Sequence, residues 1–234
     1  MLFDIITIFP KIFDGFLTES LLARAQKKGL IKIRVHNLRD WAKNKHRTVD
    51  DKPFGGGPGM VLKIEPIYKA VQYLKSKFKS QNLKPRRRVI LFSPRGKKFT
   101  QADAKRLVKY DQLILICGRY EGVDERVAEY LADEVISIGD YVLSGGEIPA
   151  MVILETISRL IPGVVSKKES VEKLDFPQYT RPEVFEIKEG KKIKKLTVPK
   201  VLLSGNHQKI AEWRKSHTRQ LTSKEQKSPV KKEG

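Results

Sequence analysis

Residues 117–147 read CGRYEGVDERVAEYLADEVISIGDYVLSGGE, and they hold two turns of the same design. The apolar run 113–116 leads directly into the glycine-bearing turn 118–122, and the run 135–138 leads into the turn 139–146. A short uninterrupted apolar run is the pattern of a strand buried on both faces, as in a parallel sheet covered by helices. Glycine at a strand exit lets the backbone turn sharply and come close to a ligand with no Cβ in the way. Two such turns side by side therefore predict a pocket walled by main-chain N–H and C=O groups.

The rest of the chain supplies the layers this pattern needs. Residues 2–9 are predicted as a strand closed by Pro10, and Phe13, Phe16, Leu17, Leu21, Leu22 and Ala25 recur at helical spacing up to Gly29. Residues 31–35 read as a second strand. Residues 37–63 carry no long periodic segment and include HRTVDDKPFGGGPGM, a shaped loop with Arg47, Asp50 and Asp51 beside it. A helix is expected over 65–78, with Ile67, Ala70, Val71 and Leu74 on one face. A strand at 89–92 exits into Ser93-Pro94-Arg95-Gly96, a third turn on the same side. Thr100 with Asp103 three residues on marks a helix start, and further helices are expected over 124–131 and from Pro149 to residue 160. Strands alternating with helices predict an α/β fold with a mostly parallel sheet, whose ligands sit at the carboxyl ends of the strands.

After Pro162-Gly163 the character changes. Residues 166–175 are polar and read as a linker, and from residue 186 onward there are 14 Lys/Arg against 5 Asp/Glu. The expected organisation is an α/β domain over 1–165, a linker over 166–176, and a basic, partly helical appendage over 177–234. One helix is predicted there over 208–215, and a coreless tail over the last fifteen or so residues. The net charge of +20 favours a polyanionic partner, and its spread over many loops suits a folded RNA. No apolar run approaches the roughly 20 residues that cross a bilayer, and the N-terminus lacks a signal-peptide pattern. A cytoplasmic setting is expected. One cysteine and four scattered histidines exclude a disulfide framework and argue against zinc. Neither GxGxxG after a strand, nor a P-loop, nor a GxSxG elbow is present, and Cys117 reads as a buried core thiol.

GRYEG at 118–122, SIGDYVLSGGE at 137–147, VDDKPFGGGPGM at 49–60, PQYTRPEV at 177–184 and VPKVLLSGNH at 198–207 together resemble the bacterial tRNA (guanine-N1)-methyltransferases of the SPOUT class. The resemblance spans about residues 1–215. It implies a deep trefoil knot in the catalytic domain, and transfer of a methyl group from S-adenosylmethionine to N1 of guanine 37 beside the anticodon. It implies a homodimer, with the active site between protomers, and it admits Mg²⁺ as an aid. Carried over position by position, it implies that Leu91, Ser93, Pro94, Gly118, Glu121, Ile138, Gly139, Asp140, Tyr141, Val142, Leu143 and Gly145 hold the methyl donor. Arg159 matches the arginine that stabilises developing charge. Tyr179, Arg181, His207 and Arg214 match contacts to the anticodon arm.

Two departures from the family pattern matter. The family places an aspartate of an Asp-Ser step in the linker as general base, whereas SKKESVEKLD has none. Glu169 and Asp175 are equal candidates, Glu172 is the other linker carboxylate, and a base from outside the linker stays open. The C-terminal region is also shorter than usual and carries the charged insert 186–195. Two further readings therefore stand beside the first: a SPOUT enzyme acting on a different RNA or base, and a catalytically impaired RNA-binding homologue. The complete set of donor-site loops argues against the last.

Overall fold

The computed structural model describes residues 1–78, 85–165, 176–190 and 192–218. The chain divides into two compact units, Met1–Val171 and Glu172–Gly234. The first opens with strand β1 (Leu2–Thr7), helices α1 (Asp14–Thr18) and α2 (Ser20–Lys27), and strand β2 (Lys32–Asn37). A minor antiparallel pair follows, β3 (Asp50–Asp51) with β4 (Val61–Leu62), then α3 (Ile64–Lys77) and β5 (Arg87–Lys98). Helix α4 (Gln101–Leu107), β6 (Gln112–Ile116), a π-turn over Val127–Leu131, β7 (Glu134–Ser137) and α5 (Glu147–Ser158) complete the unit.

The five long strands form one sheet in the order β2-β1-β6-β5-β7, parallel throughout. The expected mostly parallel α/β sheet is therefore what this chain builds. Alternation along each strand divides the core in two. Phe3, Ile5, Leu113 and Leu115 face a cluster with Phe13, Leu22, Leu107, Ile153 and Ile157, whereas Ile6, Ile114 and Ile116 face Ile67, Val71, Leu74 and Val127. Both faces of β1 and β6 are thus buried, which is why those runs are continuously apolar. The one charge within β1, Asp4, is fully buried and satisfied by His36 Nε2 at 2.8 Å and by a hydrogen bond that Gln112 Nε2 donates at 2.8 Å.

β5 is where the structure departs most from its sequence reading. The expected strand over 89–92 does not stop at Ser93-Pro94; extended backbone continues to Lys98. Phe92 and Lys97 both register with Ile136, so the chain leaves β7 and comes back to it. Gly96 makes the return possible. A Cβ there would lie 2.7 Å from Ile136 N and from the carbonyl carbons of Ile136 and Val135, all backbone atoms that cannot move aside. The predicted helix over 124–131 also proves to be wider than an α-helix, a π-turn beginning at Val127.

Charge locks the returning segment in place. Asp103 completes the predicted capping box with Thr100, and its carboxylate accepts from Lys97 Nζ at 2.9 Å and Arg106 Nη2 at 3.2 Å. Arg106 in turn forks onto both oxygens of Glu134 at the start of β7. Burial pushes the Asp103 carboxyl up, but the bonds from Lys97, Thr100 and Arg106 outweigh it and hold it at about 2, against an ordinary 3.8. A group lowered in this way stabilises the fold above pH 3.8, and the contribution is lost as pH falls toward about 2. Asp103→Asn is expected to cost on the order of 2 kcal/mol at neutral pH and much less at about pH 2. Urea unfolding at the two pH values checks this; equal losses at both would contradict it.

Described by itself, the second unit contains the antiparallel hairpin β8 (Val184–Glu189) and β9 (Lys192–Thr197), then α6 (Lys200–Leu203) and α7 (His207–Ser216). Asn206 caps α7 by accepting from Lys209 N at 3.1 Å. The charged insert over 186–195 is therefore strand for most of its length, with Glu186 facing Lys195 across the ladder.

Candidate active site

The turns after β6 and β7 converge with residues 91–95 of β5, and together they enclose a cavity of about 570 Å³. That size lies within the usual range for a small-molecule site. Of the twelve residues expected at a donor site, eleven line it: Leu91, Ser93, Pro94, Gly118, Glu121, Ile138, Gly139, Tyr141, Val142, Leu143 and Gly145. Asp140 does not; its carboxylate accepts from Lys98 Nζ at 2.5 Å. Five of the lining residues are glycines, Gly118, Gly122, Gly139, Gly145 and Gly146. Gly139 N donates to Ser137 Oγ at 3.2 Å, and the Tyr141 hydroxyl donates to Ile138 O at 3.3 Å, which folds the β7 turn back over its own strand.

A buried ion pair that sequence reasoning missed holds the turns together. Glu147, the first residue of α5 and 1 % exposed, accepts from Thr7 Oγ1 at 2.6 Å and from Arg119 Nε at 2.9 Å. The Arg119 guanidinium also lies over the Phe9 ring, 4.9 Å from its centroid. Gly146 N donates to Gly118 O at 2.9 Å, and a Cβ on Gly146 would lie 2.6 Å from Cys117 Cα. The end of β1, the turn after β6 and the start of α5 are thus pinned at one point, with the carboxylate favourably placed in the first turn of a helix. The signal was present in GRYEG and SGGE, motifs in which only the glycines had drawn a structural reading. At the cavity wall a second cross-turn pair joins Arg95 to Glu125.

Cys117 is buried as expected. Burial pushes its thiol well up, the Glu147 charge adds to this and Arg119 opposes it, so it is a core thiol and no nucleophile.

Of the expected catalytic residues, the structure describes Arg159. Arg159 caps the far end of α5, one helix length, about 18 Å, from the turn at Gly146. Glu169 and Asp175 lie outside the described residues. In the second unit Tyr179 is half exposed and its ring lies 6.3 Å from that of Trp213. Arg214 sits over the Phe176 ring at 5.3 Å, while Arg181 and His207 are exposed. Among the described residues no three His, Cys, Asp or Glu side chains converge to hold a metal ion, so Mg²⁺ has no protein site there. Nor, among them, is any helix long and apolar enough to cross a membrane.

A parallel α/β sheet with a glycine-bearing cavity at the carboxyl edge of its strands defines the class: an α/β protein with a cleft where ligands of such sheets bind. Comparison with known proteins specifies the family. The family model for tRNA (guanine-1)-methyltransferase, TrmD, matches residues 1–232, and the chain belongs to that family. It is 51% identical over 221 residues to a tRNA (guanine-N(1)-)-methyltransferase of Thermomicrobium roseum, covering 92% of this chain and 78% of the relative. A relative of the same name from Geotalea uraniireducens is 50% identical over 222 residues, with 92% and 84% covered. One from Clostridioides difficile is 44% identical over 229 residues, with 95% and 94% covered.

Proposed function

We propose that this chain is an S-adenosylmethionine-dependent tRNA methyltransferase that modifies N1 of guanine 37, beside the anticodon. The observation that carries the reading is the cavity itself. Residues assigned to the donor from three separate stretches of the chain, 91–94, 118–121 and 138–145, come together around one space of suitable size.

When bound there, S-adenosylmethionine supplies an electrophilic methyl group on a sulfonium. The chain's own part is to bind, orient and manage charge. Backbone groups around Gly118, Ile138 and Gly139 suit an adenine edge, because the glycines leave their main chain open to close approach. The Glu121 carboxylate favours a cationic ligand. As the N1–methyl bond forms and the S–methyl bond breaks, the N1 proton must pass to a base and negative charge grows toward O6. Glu169 or Asp175 is the base in this scheme, and Arg159 stabilises O6.

Arg159 meets a second protomer's cavity in this reading, since its own lies a helix length away. A homodimer is supported by what surrounds α5. Ile148 and Val152, four residues apart, are exposed on α5, and Phe9 and Ile12 are exposed on and beside the turn Pro10–Phe13 that packs against that helix. An isologous contact over this face would set each Arg159 toward the partner. The deep trefoil knot enters this reading through the family. The domain limits follow the reading: 1–165 catalytic, 166–176 linker, and 177–234 for RNA contact through Tyr179, Arg181, His207 and Arg214. A tRNA substrate sets the work in the cytoplasm.

The test is methyl transfer from radiolabelled S-adenosylmethionine to a tRNA transcript with guanine at positions 36 and 37. Label at N1 of guanine 37, lost when that base is changed, is the expected result. Label that persists after the change would mean another target. RNA binding without transfer would favour the impaired homologue.

A further inference from the structure

The least protected aromatic side chain of the catalytic unit stands on a loop tied to the cavity wall at its far end. Phe54 is fully exposed, at 102 %. Exposing a phenyl group forgoes about 1.5–3 kcal/mol of burial, and the ring has no polar atom to justify it in water. Its loop is nonetheless tied down. Pairing of β3 with β4 closes the base, Gly56 N donates to Pro53 O at 3.3 Å, and Glu121 N donates to Met60 O at 3.1 Å. Gly55, Gly56 and Gly57 take φ of 84°, 80° and 124°, a course that side-chain-bearing residues rarely follow. Gly59 lies so close to the cavity-lining Glu121 that a Cβ there would be 2.6 Å from its Cγ. The loop is thus moored to the cavity wall and presents a bare aromatic face. Lys45 and Lys52, also exposed, flank it on the same connection.

We propose that Phe54 is a stacking platform for an unpaired nucleobase of the RNA substrate, adjacent to the base that is methylated. Single-stranded RNA is held in this way, by bases stacked on aromatic rings with cations along the phosphates. The proposal rests on the methyltransferase reading for the identity of the RNA, but not for the mode of contact.

The experiment compares the full chain with Phe54→Ala, Phe54→Leu and Phe54→Trp. It follows methyl transfer to the tRNA transcript, tRNA binding by filter retention, and S-adenosylmethionine binding by calorimetry. Phe54→Ala is expected to weaken tRNA binding and lower kcat/KM for tRNA about 5- to 100-fold. Donor affinity and thermal midpoint should stay unchanged, because the side chain packs on nothing. Phe54→Trp should retain function and Phe54→Leu should not. Undiminished tRNA binding in Phe54→Ala would overturn the proposal. So would full rescue by leucine, which would mean plain apolar contact, or a change of dimer mass in light scattering, which would mean that a second copy covers the ring. If the unaltered chain transfers no methyl group, the enzymatic reading fails, and the filter-binding comparison still decides the role of Phe54.

Discussion

Replacing Glu147 by alanine is expected to lower unfolding stability by about 3–5 kcal/mol, the usual cost of removing one partner from a buried ion pair. The charge left behind has nowhere to go. Arg119 has a side chain only 19% exposed, and its Nε would face the space that the carboxylate vacated. Thr7 Oγ1 would lose its acceptor as well. The effect should reach the cavity, because Glu147 is the point at which β1, the turn after β6 and the start of α5 meet. Donor affinity is therefore expected to fall together with stability. Urea unfolding with linear extrapolation measures the first, and calorimetric titration with S-adenosylmethionine the second. The double variant Arg119→Met with Glu147→Leu separates charge from packing. It leaves no unpaired ion and should recover part of the loss in stability while leaving donor binding impaired. A Glu147→Ala protein within about 1 kcal/mol of the original would show that water or a neighbour compensates the arginine, and the pin would then be ornamental.

What the sequence revealed, and what it hid, follows from the range of each interaction. Strands β1 and β6 were legible because both of their faces are buried, and composition alone records that. The capping box at Thr100 and Asp103 was legible because its partners are three residues apart. The ion pair of Arg119 with Glu147 was not, because 28 residues separate the partners and only the fold brings them together. The extension of β5 through Pro94 to Lys98 was hidden for a related reason. Ser-Pro-Arg-Gly reads as a turn, and only contact with the backbone of β7 makes an extended path the better one. The hairpin of β8 and β9 was obscured by its own chemistry. Its strands bury little, so lysines replace the alternate apolar residues that reveal a half-buried strand. The general base escapes for want of a motif: the linker lacks the Asp-Ser step of the family, and Glu169 and Asp175 lie outside the described residues.

Replacing Arg159 by alanine is expected to lower kcat by about 10²–10³-fold with donor affinity unchanged, the usual cost of removing one group that stabilises developing negative charge. The placement of Arg159 turns this into a test of the assembly as well. The residue stands at the far end of α5, while Gly146, at the near end, borders its own chain's cavity. If each cavity borrows its arginine from the partner, two inactive proteins can repair one another. Gly146→Val would supply the second, since the added carbons collide with Cys117 Cα and close the donor site. In a mixed dimer the Arg159→Ala protomer keeps a sound cavity, and the Gly146→Val protomer offers it an intact arginine. Random reassortment of equal amounts gives one complete site in about a quarter of all cavities, so activity should recover to about 25% of the original. Were Arg159 to serve the cavity of its own chain, the mixed dimer would contain one site lacking the arginine and one lacking the donor, and mixing would restore nothing. Recovery after dissociation and reassociation, absent when the two proteins are mixed without it, would establish both the dimer and the crossing of α5 between its active sites.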